Sequence, residues 1–180
     1  HRDILDSFLI TGDHNVLKRV NAAARFFNSA LTSGKYKNAV EYAEKRRLSG
    51  SVGKHFGIGF CPDSFGVLAT HLRSLGYTPF EMKEGFLCGE GKSGKLFDYY
   101  RNRLIFPIID PAGNVVAFGG RALGDEKPKY LNTNDTPAFK KGRSIFALNF
   151  AKNSKEDYFI LCEGYTDVIA LHAAGFTSAV

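Results

Sequence analysis

Tryptophan is missing from these 180 residues, methionine occurs once and cysteine three times. Cys61, Cys88 and Cys162 are far apart and odd in number, which argues against a disulfide framework and against a four-cysteine zinc site. A reducing, cytoplasmic compartment is the expectation. No apolar run approaches the ~20 residues needed to span a bilayer, so no membrane role is expected. No long apolar stretch follows His1-Arg2-Asp3-Ile4, so the start does not read as a signal peptide. Lacking an initiator Met, the chain reads as a processed product or an excised piece. His14, His55, His71 and His172 are scattered, and no pair has metal-ligand spacing such as i, i+4 with Glu. A Gly-x-Ser-x-Gly nucleophile elbow is also missing.

What is present suits a folded domain. Hydrophobic residues make up 44% and charged residues 23%, near the globular average, and 16 Phe supply material for a core. The length fits one domain, or one and part of a second. Net charge is +6, and the excess is clustered. Nine basic residues from Lys18 to Lys54 face only Glu41 and Glu44, and six from Arg121 to Arg143 face Asp125, Glu126 and Asp135. Such clusters suit a polyanion such as nucleic acid or nucleotide, although ordinary solvated faces carry similar runs.

Apolar spacing outlines the elements. Asp13 reads as an N-cap, and Val16, Leu17, Val20, Ala24, Phe27 and Leu31 recur at helical spacing until Gly34. Ala39 to Leu48 reads as a second helix, Phe56 to Phe60 as a short strand with close backbone approach, and Phe65 to Leu75 as a helix stopped by Gly76. Leu104 to Asp110 and Val115 to Phe118 flank Pro111-Ala112-Gly113-Asn114, the pattern of a β-hairpin. Pro107 predicts an edge or bulged position there. Gly119 to Gly142 shows no clear periodicity and reads as a long loop, functional or disordered. Tyr158 to Cys162 then reads as a buried strand and Asp167 to Ala174 as a helix capped by Gly175. Thr177 to Val180 reads as the start of another strand. Strand, helix, strand is a βαβ unit, whose parallel sheet needs more strands than this.

Three constellations could carry chemistry. Gly89-Glu90-Gly91-Lys92-Ser93-Gly94-Lys95 approaches a phosphate-binding loop, but Leu96 stands where Ser or Thr would hold magnesium, so a flexible polar loop is the better reading. Glu163-Gly164-Tyr165-Thr166-Asp167 sets two carboxylates at a strand's carboxyl end, where open α/β sheets bind ligands. They could hold a hard cation such as Mg²⁺, or one could accept a proton. Asp167 could equally serve as a helix cap or dipole partner. Finally, Arg121, Lys129, Lys141 and Arg143 could touch phosphates while Tyr130 offers a ring for a base; a solvated loop would look much the same.

Six strings in order resemble the catalytic core of bacterial DnaG-type DNA primases. They are Phe56-Gly57-Ile58-Gly59-Phe60, Arg101 to Ile108, Phe118-Gly119-Gly120-Arg121, Pro128-Lys129-Tyr130-Leu131-Asn132, Phe139-Lys140-Lys141-Gly142 and Glu163 to Asp167. The similarity runs from about Val16 to the end. It implies a mixed α+β N-terminal subdomain with a β-hairpin, residues 1–155, followed at 156–180 by the first βαβ unit of a Toprim fold. By the same resemblance Glu163 is the catalytic acid, and Glu163 and Asp167 take part in holding Mg²⁺ or Mn²⁺. Arg46, Arg121, Lys129, Tyr130, Asn132 and Lys141 line the cleft for template, nucleotide or primer. The implied partners are single-stranded DNA, ribonucleoside triphosphates, the RNA primer and, through a C-terminal region, the replicative helicase. The family's zinc domain, its later Asp-x-Asp pair and that helicase-binding region have no counterpart here. The isolated segment is therefore expected to bind metal poorly and not to polymerise. Another Toprim enzyme would share the Glu163 motif but not the Arg121-to-Lys141 strings. A non-catalytic nucleic-acid module would share the basic loop and have no use for Glu163. A small-molecule kinase would rest on the Gly89 loop, which Leu96 undermines.

Overall fold

In the computed structural model, which describes residues 14–180, a long helix, α1 (His14–Thr32), lies against a four-stranded antiparallel sheet. The sheet order is β1 (Gly59–Cys61), β4 (Arg103–Ile109), β5 (Val115–Ala122), β6 (Tyr130–Asn132). Around it stand α2 (Lys37–Lys45), α3 (Gly50–His55), α4 (Val67–Ser74) and α5 (Pro79–Glu84). A small hairpin of β2 (Cys88–Glu90) and β3 (Leu96–Asp98) adds a second sheet. The chain finishes with α6 (Leu148–Ala151) and α7 (Tyr165–Ala173). Mixed α+β architecture is thus what the chain adopts.

Strand pairing sorts the central residues onto two faces, because successive side chains alternate. Gly59 pairs with Ile105 and Ile105 with Gly120, so these share one face with Phe118. That face is closed by α1 and α4, with Phe27 edge-on to Phe118 at 5.2 Å and Leu68 and Leu72 fully buried. Phe60, Leu104 and Phe106 take the other face, where they pack with Val168 and Ile169 of α7. Arg121 pairs with Leu104 and Tyr130, and Gly119 with Phe106 and Asn132, so all four belong to this second face.

The helix α1 keeps its predicted phase, ending before Gly34 at φ +72°. Asp13 lies outside the described residues. The second helix stops at Lys45 rather than Leu48, because Arg47 turns left-handed at φ 57° and returns Leu48 to the core. The strand expected over Phe56–Phe60 begins only at Gly59, after Gly57 at φ +65°. Pro107 lies in an interior strand, but β1 pairs only as far as Ile105, so no ladder donor is needed there; the register shift falls just beyond, at Ile108/Ile109.

Two expectations are corrected. Gly119 to Gly142 is not wholly a loop: β5 runs through Ala122, and Tyr130–Asn132 forms the edge strand against Gly119–Arg121. Tyr158 to Cys162 is not buried, since Tyr158 and Leu161 are largely exposed. The segment nevertheless runs parallel to the chain end. The Ile160 amide donates to the Ser178 carbonyl, the Val180 amide to Ile160, and the Cys162 amide to Val180. With α7 between them, these segments have βαβ connectivity.

Candidate functional site

The second sheet face carries an alternating column of cations and rings. The Arg121 guanidinium sits 5.3 Å from the Tyr130 ring centre and 5.8 Å from that of Tyr42, and its Nη1 donates to the Tyr130 hydroxyl at 2.7 Å. Arg46, at the end of α2, lies 5.6 Å from the same Tyr42 ring. Tyr42 and Arg46 are one helical turn apart, the spacing at which side chains meet. Arg121 is 93% buried and its Nε has no hydrogen-bond acceptor. Among the described residues no carboxylate comes within ion-pair distance of Arg46 or Arg121. Desolvating a cation is costly unless its charge is answered. Here the rings answer part of it through their negative faces, and the buried Nε is left without an acceptor.

Asn132 extends the face. Its Oδ1 accepts from the Tyr165 hydroxyl at 2.9 Å, and Tyr165 opens α7, two residues after Glu163. Burial, helped by Tyr130, pushes the Tyr165 phenol up to about 12. A groove of about 260 Å³ between Arg46, Arg47 and Leu48 and the α7 residues Thr166, Ile169 and Ala170 brings the end of α2 beside the same helix.

Glu163 follows directly on the parallel segment and is exposed, as is Asp167 in the first turn of α7. A Cβ on Gly164 would stand 2.9 Å from Asp167 Oδ2, so the carboxylate folds back over the glycine. Asp167 adds to the burial that raises the Cys162 thiol. Both carboxylates are hard oxygen donors, the kind a hard divalent cation takes. They fit such a cation in chemistry but fall short in number, because no cluster of three or more His, Cys, Asp or Glu able to hold a metal occurs among the described residues.

The structure thus joins Arg46, Arg121, Tyr130 and Asn132, and docks the turn of Glu163 and Asp167 beside them. Among the described residues no side-chain contact joins Lys129 to this group, and Lys141 is tied elsewhere. The Lys129 carbonyl accepts from the Ala122 amide and Arg103 Nη1 while its side chain is exposed. Lys141 is held in its own loop, its amide donating to Asp135 Oδ1 at 3.0 Å and its Nζ to Asn134 Oδ1 at 3.1 Å. Tyr42 and the docking role of Tyr165 were absent from the sequence expectations; the i, i+4 placement of Tyr42 and Arg46 was the available signal. The Gly89 loop proves to be the turn of the β2–β3 hairpin. A Cβ on Gly89 would strike the Phe97 ring at 2.3 Å, so that glycine seats a ring rather than a phosphate.

Comparison with known proteins gives consistent matches. Residues 26–152 match the family model of the DNA primase catalytic core, N-terminal domain. The chain is 43% identical to a DNA primase of Pseudomonas putida over 89% of its own length and 25% of that protein, and 41% identical to one of Clostridium acetobutylicum over 89% and 26%. It therefore spans about a quarter of these relatives. The RNA polymerase domain of Mycobacterium tuberculosis primase DnaG, solved with a double-stranded DNA oligomer bearing a 6-nucleotide overhang, superposes with a TM-score of 0.87 at 35% identity. That match covers 94% of this chain and 54% of the other. A DnaG primase catalytic domain bound to single-stranded DNA gives a TM-score of 0.83 at 33% identity, covering 92% and 54%.

Proposed function

The chain belongs to the bacterial DnaG primases, as part of their catalytic core, and from that premise we propose that the protein it forms part of makes short RNA primers on single-stranded DNA. The reaction is template-directed nucleotidyl transfer: a ribonucleotide 3′-hydroxyl attacks the α-phosphate of the next nucleotide and pyrophosphate leaves. Residues up to about 155 supply the cationic sheet face, and those from about 156 begin the Toprim unit. The change from antiparallel to parallel backbone pairing supports that division.

The observation that carries this reading is Arg121, a guanidinium buried between two tyrosines with no acceptor at Nε and, among the described residues, no carboxylate partner. A site built to keep a guanidinium unneutralised is built for a polyanion. Arg121 and Arg46 would grip phosphates of template or nucleotide, the partly exposed Tyr130 ring would stack a base, and Asn132 would add polar contacts. Lys129 and Lys141 would contact the backbone from the flanking loops. Glu163 would act as the catalytic acidic residue, and with Asp167 it would hold a divalent cation, magnesium or manganese. When bound, that cation supplies charge neutralisation at the reacting phosphate. Ribonucleoside triphosphates, the growing primer and, through a region beyond this segment, the replicative helicase complete the proposed partners, in the cytoplasm at replication forks.

Primer synthesis by the full-length enzyme with Glu163→Gln tests the reading. Loss of at least about a hundredfold in kcat with unchanged single-stranded DNA affinity is expected. Unchanged synthesis would reject the role of Glu163, and DNA binding that ignores salt would reject the cationic face.

A further inference from the structure

Tyr165 makes more contacts than a helix-opening residue needs. Its ring stacks on Phe106 at 5.4 Å and 17°, and meets Phe146 edge-on at 4.8 Å. It also sits against Gly119, where a Cβ would come within 2.3 Å of a ring carbon. Its hydroxyl donates to Asn132 on the edge strand. Every one of these partners lies outside the Glu163-to-Ala173 segment. The backbone from Glu163 to Tyr165 spans no more than about 7 Å, so wherever Tyr165 docks, Glu163 is held close by. The two carboxylates themselves are exposed, and among the described residues no hydrogen bond or ion pair fixes them.

We propose that Tyr165 is a positioning residue: seated on Gly119 and hydrogen-bonded to Asn132, it registers the Glu163–Asp167 turn against the Arg121–Tyr130 face and so sets the separation of carboxylates from cations. This rests on the functional reading above. The glycine matters as much as the tyrosine, because any side chain at position 119 would lift the ring off the sheet.

The test uses the full-length enzyme, with melting temperature, single-stranded DNA affinity, and kcat and KM for ribonucleotides as readouts. Tyr165→Phe keeps the ring and deletes only the bond to Asn132. It is expected to lower kcat roughly five- to tenfold, leaving KM, DNA affinity and melting temperature near wild type. Gly119→Ala displaces the ring and is expected to cost about a hundredfold in kcat. Because Tyr165 acts through Glu163, the double variant Glu163→Gln/Tyr165→Phe should lose no more than Glu163→Gln alone. Three results would overturn the proposal: a wild-type kcat in Tyr165→Phe, losses confined to melting temperature or to DNA affinity, or full additivity with Glu163→Gln. If Glu163→Gln itself keeps full synthesis, the functional reading fails first, whatever Tyr165→Phe shows.

Discussion

The two faces of the central sheet use the same device for opposite ends. On the closed face Gly59 lets α1 approach until a Cβ would stand 2.5 Å from the backbone of Phe27. On the other face Gly119 admits the Tyr165 ring just as closely. Around Gly59 the packing is apolar and the buried Tyr100 hydroxyl meets Thr133 at 2.6 Å, while Arg19 of α1, whose Nε also lacks an acceptor, is neutralised by Glu81 and Glu84. Around Gly119 the chain leaves a buried cation with an unanswered donor and two exposed acids. One face is organised for stability, the other for presenting charge, and the alternation of β4 and β5 lets a single sheet do both.

The sharpest way to break that comparison is to fill the two glycines in turn. Gly59→Ala forces helix backbone away from the sheet, and an overpacked core of this kind loses about 3 kcal/mol or more. Urea unfolding should show a much lower midpoint. Gly119→Ala asks only a tyrosine ring to move, so its midpoint should fall by less than half as much. Equal destabilisation would mean that the second face is simply more core.

Arg121 gives the next largest effect, and its sign is the informative part. Replacing it by Leu removes a desolvated cation from between Tyr42 and Tyr130, so stability should hold or rise by up to about 1 kcal/mol. Affinity for single-stranded DNA should meanwhile fall about tenfold, with the slope of log affinity against log salt shallower by roughly one phosphate contact. Fluorescence anisotropy over a salt series, with melting curves alongside, reads both. A variant that loses stability while keeping its salt slope would make Arg121 a structural residue. Tyr42→Leu should move affinity in the same direction by a few-fold, since it withdraws the ring shared by Arg46 and Arg121.

How far the sequence went follows from the range of the signals. Helix α1 and the β4–β5 hairpin were legible because periodicity and the Pro111–Asn114 turn are local. Strand β6 was not, because three residues, two of them exposed, carry no pattern until Gly119–Arg121 pairs with them. Helix α3 was masked by its glycines, yet a Cβ on Gly53 would stand 2.5 Å from the Leu48 carbonyl, so packing demands the residue that propensity disfavours. Helix α5 was within reach, since Thr78-Pro79-Phe80-Glu81 spells a capping box with proline at the first position. The apolar string Tyr158–Cys162 misled because composition cannot tell which side of a strand is covered. The same limit applies to the site: Arg121, Tyr130 and Glu163 are visible as motif residues, whereas the rings that aim them are joined only by the fold.

The smallest effect expected belongs to the closed side, where Asp98 accepts the Leu68 and Ala69 amides at 2.8 and 3.0 Å and so caps α4. Burial raises its carboxyl from its ordinary value, outweighing the amides of Leu68, Ala69 and Val67 and the Cys88 thiol that pull it down. A carboxyl that keeps its proton better when folded adds most stability below its unfolded value, and that contribution fades as pH rises through the folded one. Asp98→Asn presents an NH₂ group to one of the two amides and should cost about 1 kcal/mol at neutral pH. Because the wild-type carboxyl gains on acidification, the gap between the two proteins should widen as pH falls from 7 toward 4 in urea titrations. Glu126 on the hairpin behaves oppositely: Asn102 and the Gly124 amide hold its carboxyl below the usual range. Its stabilisation is present at neutral pH and lost on acidification, so in Glu126→Gln the gap should narrow over the same interval. Parallel pH profiles for the two variants would show that burial does not set the behaviour of Asp98.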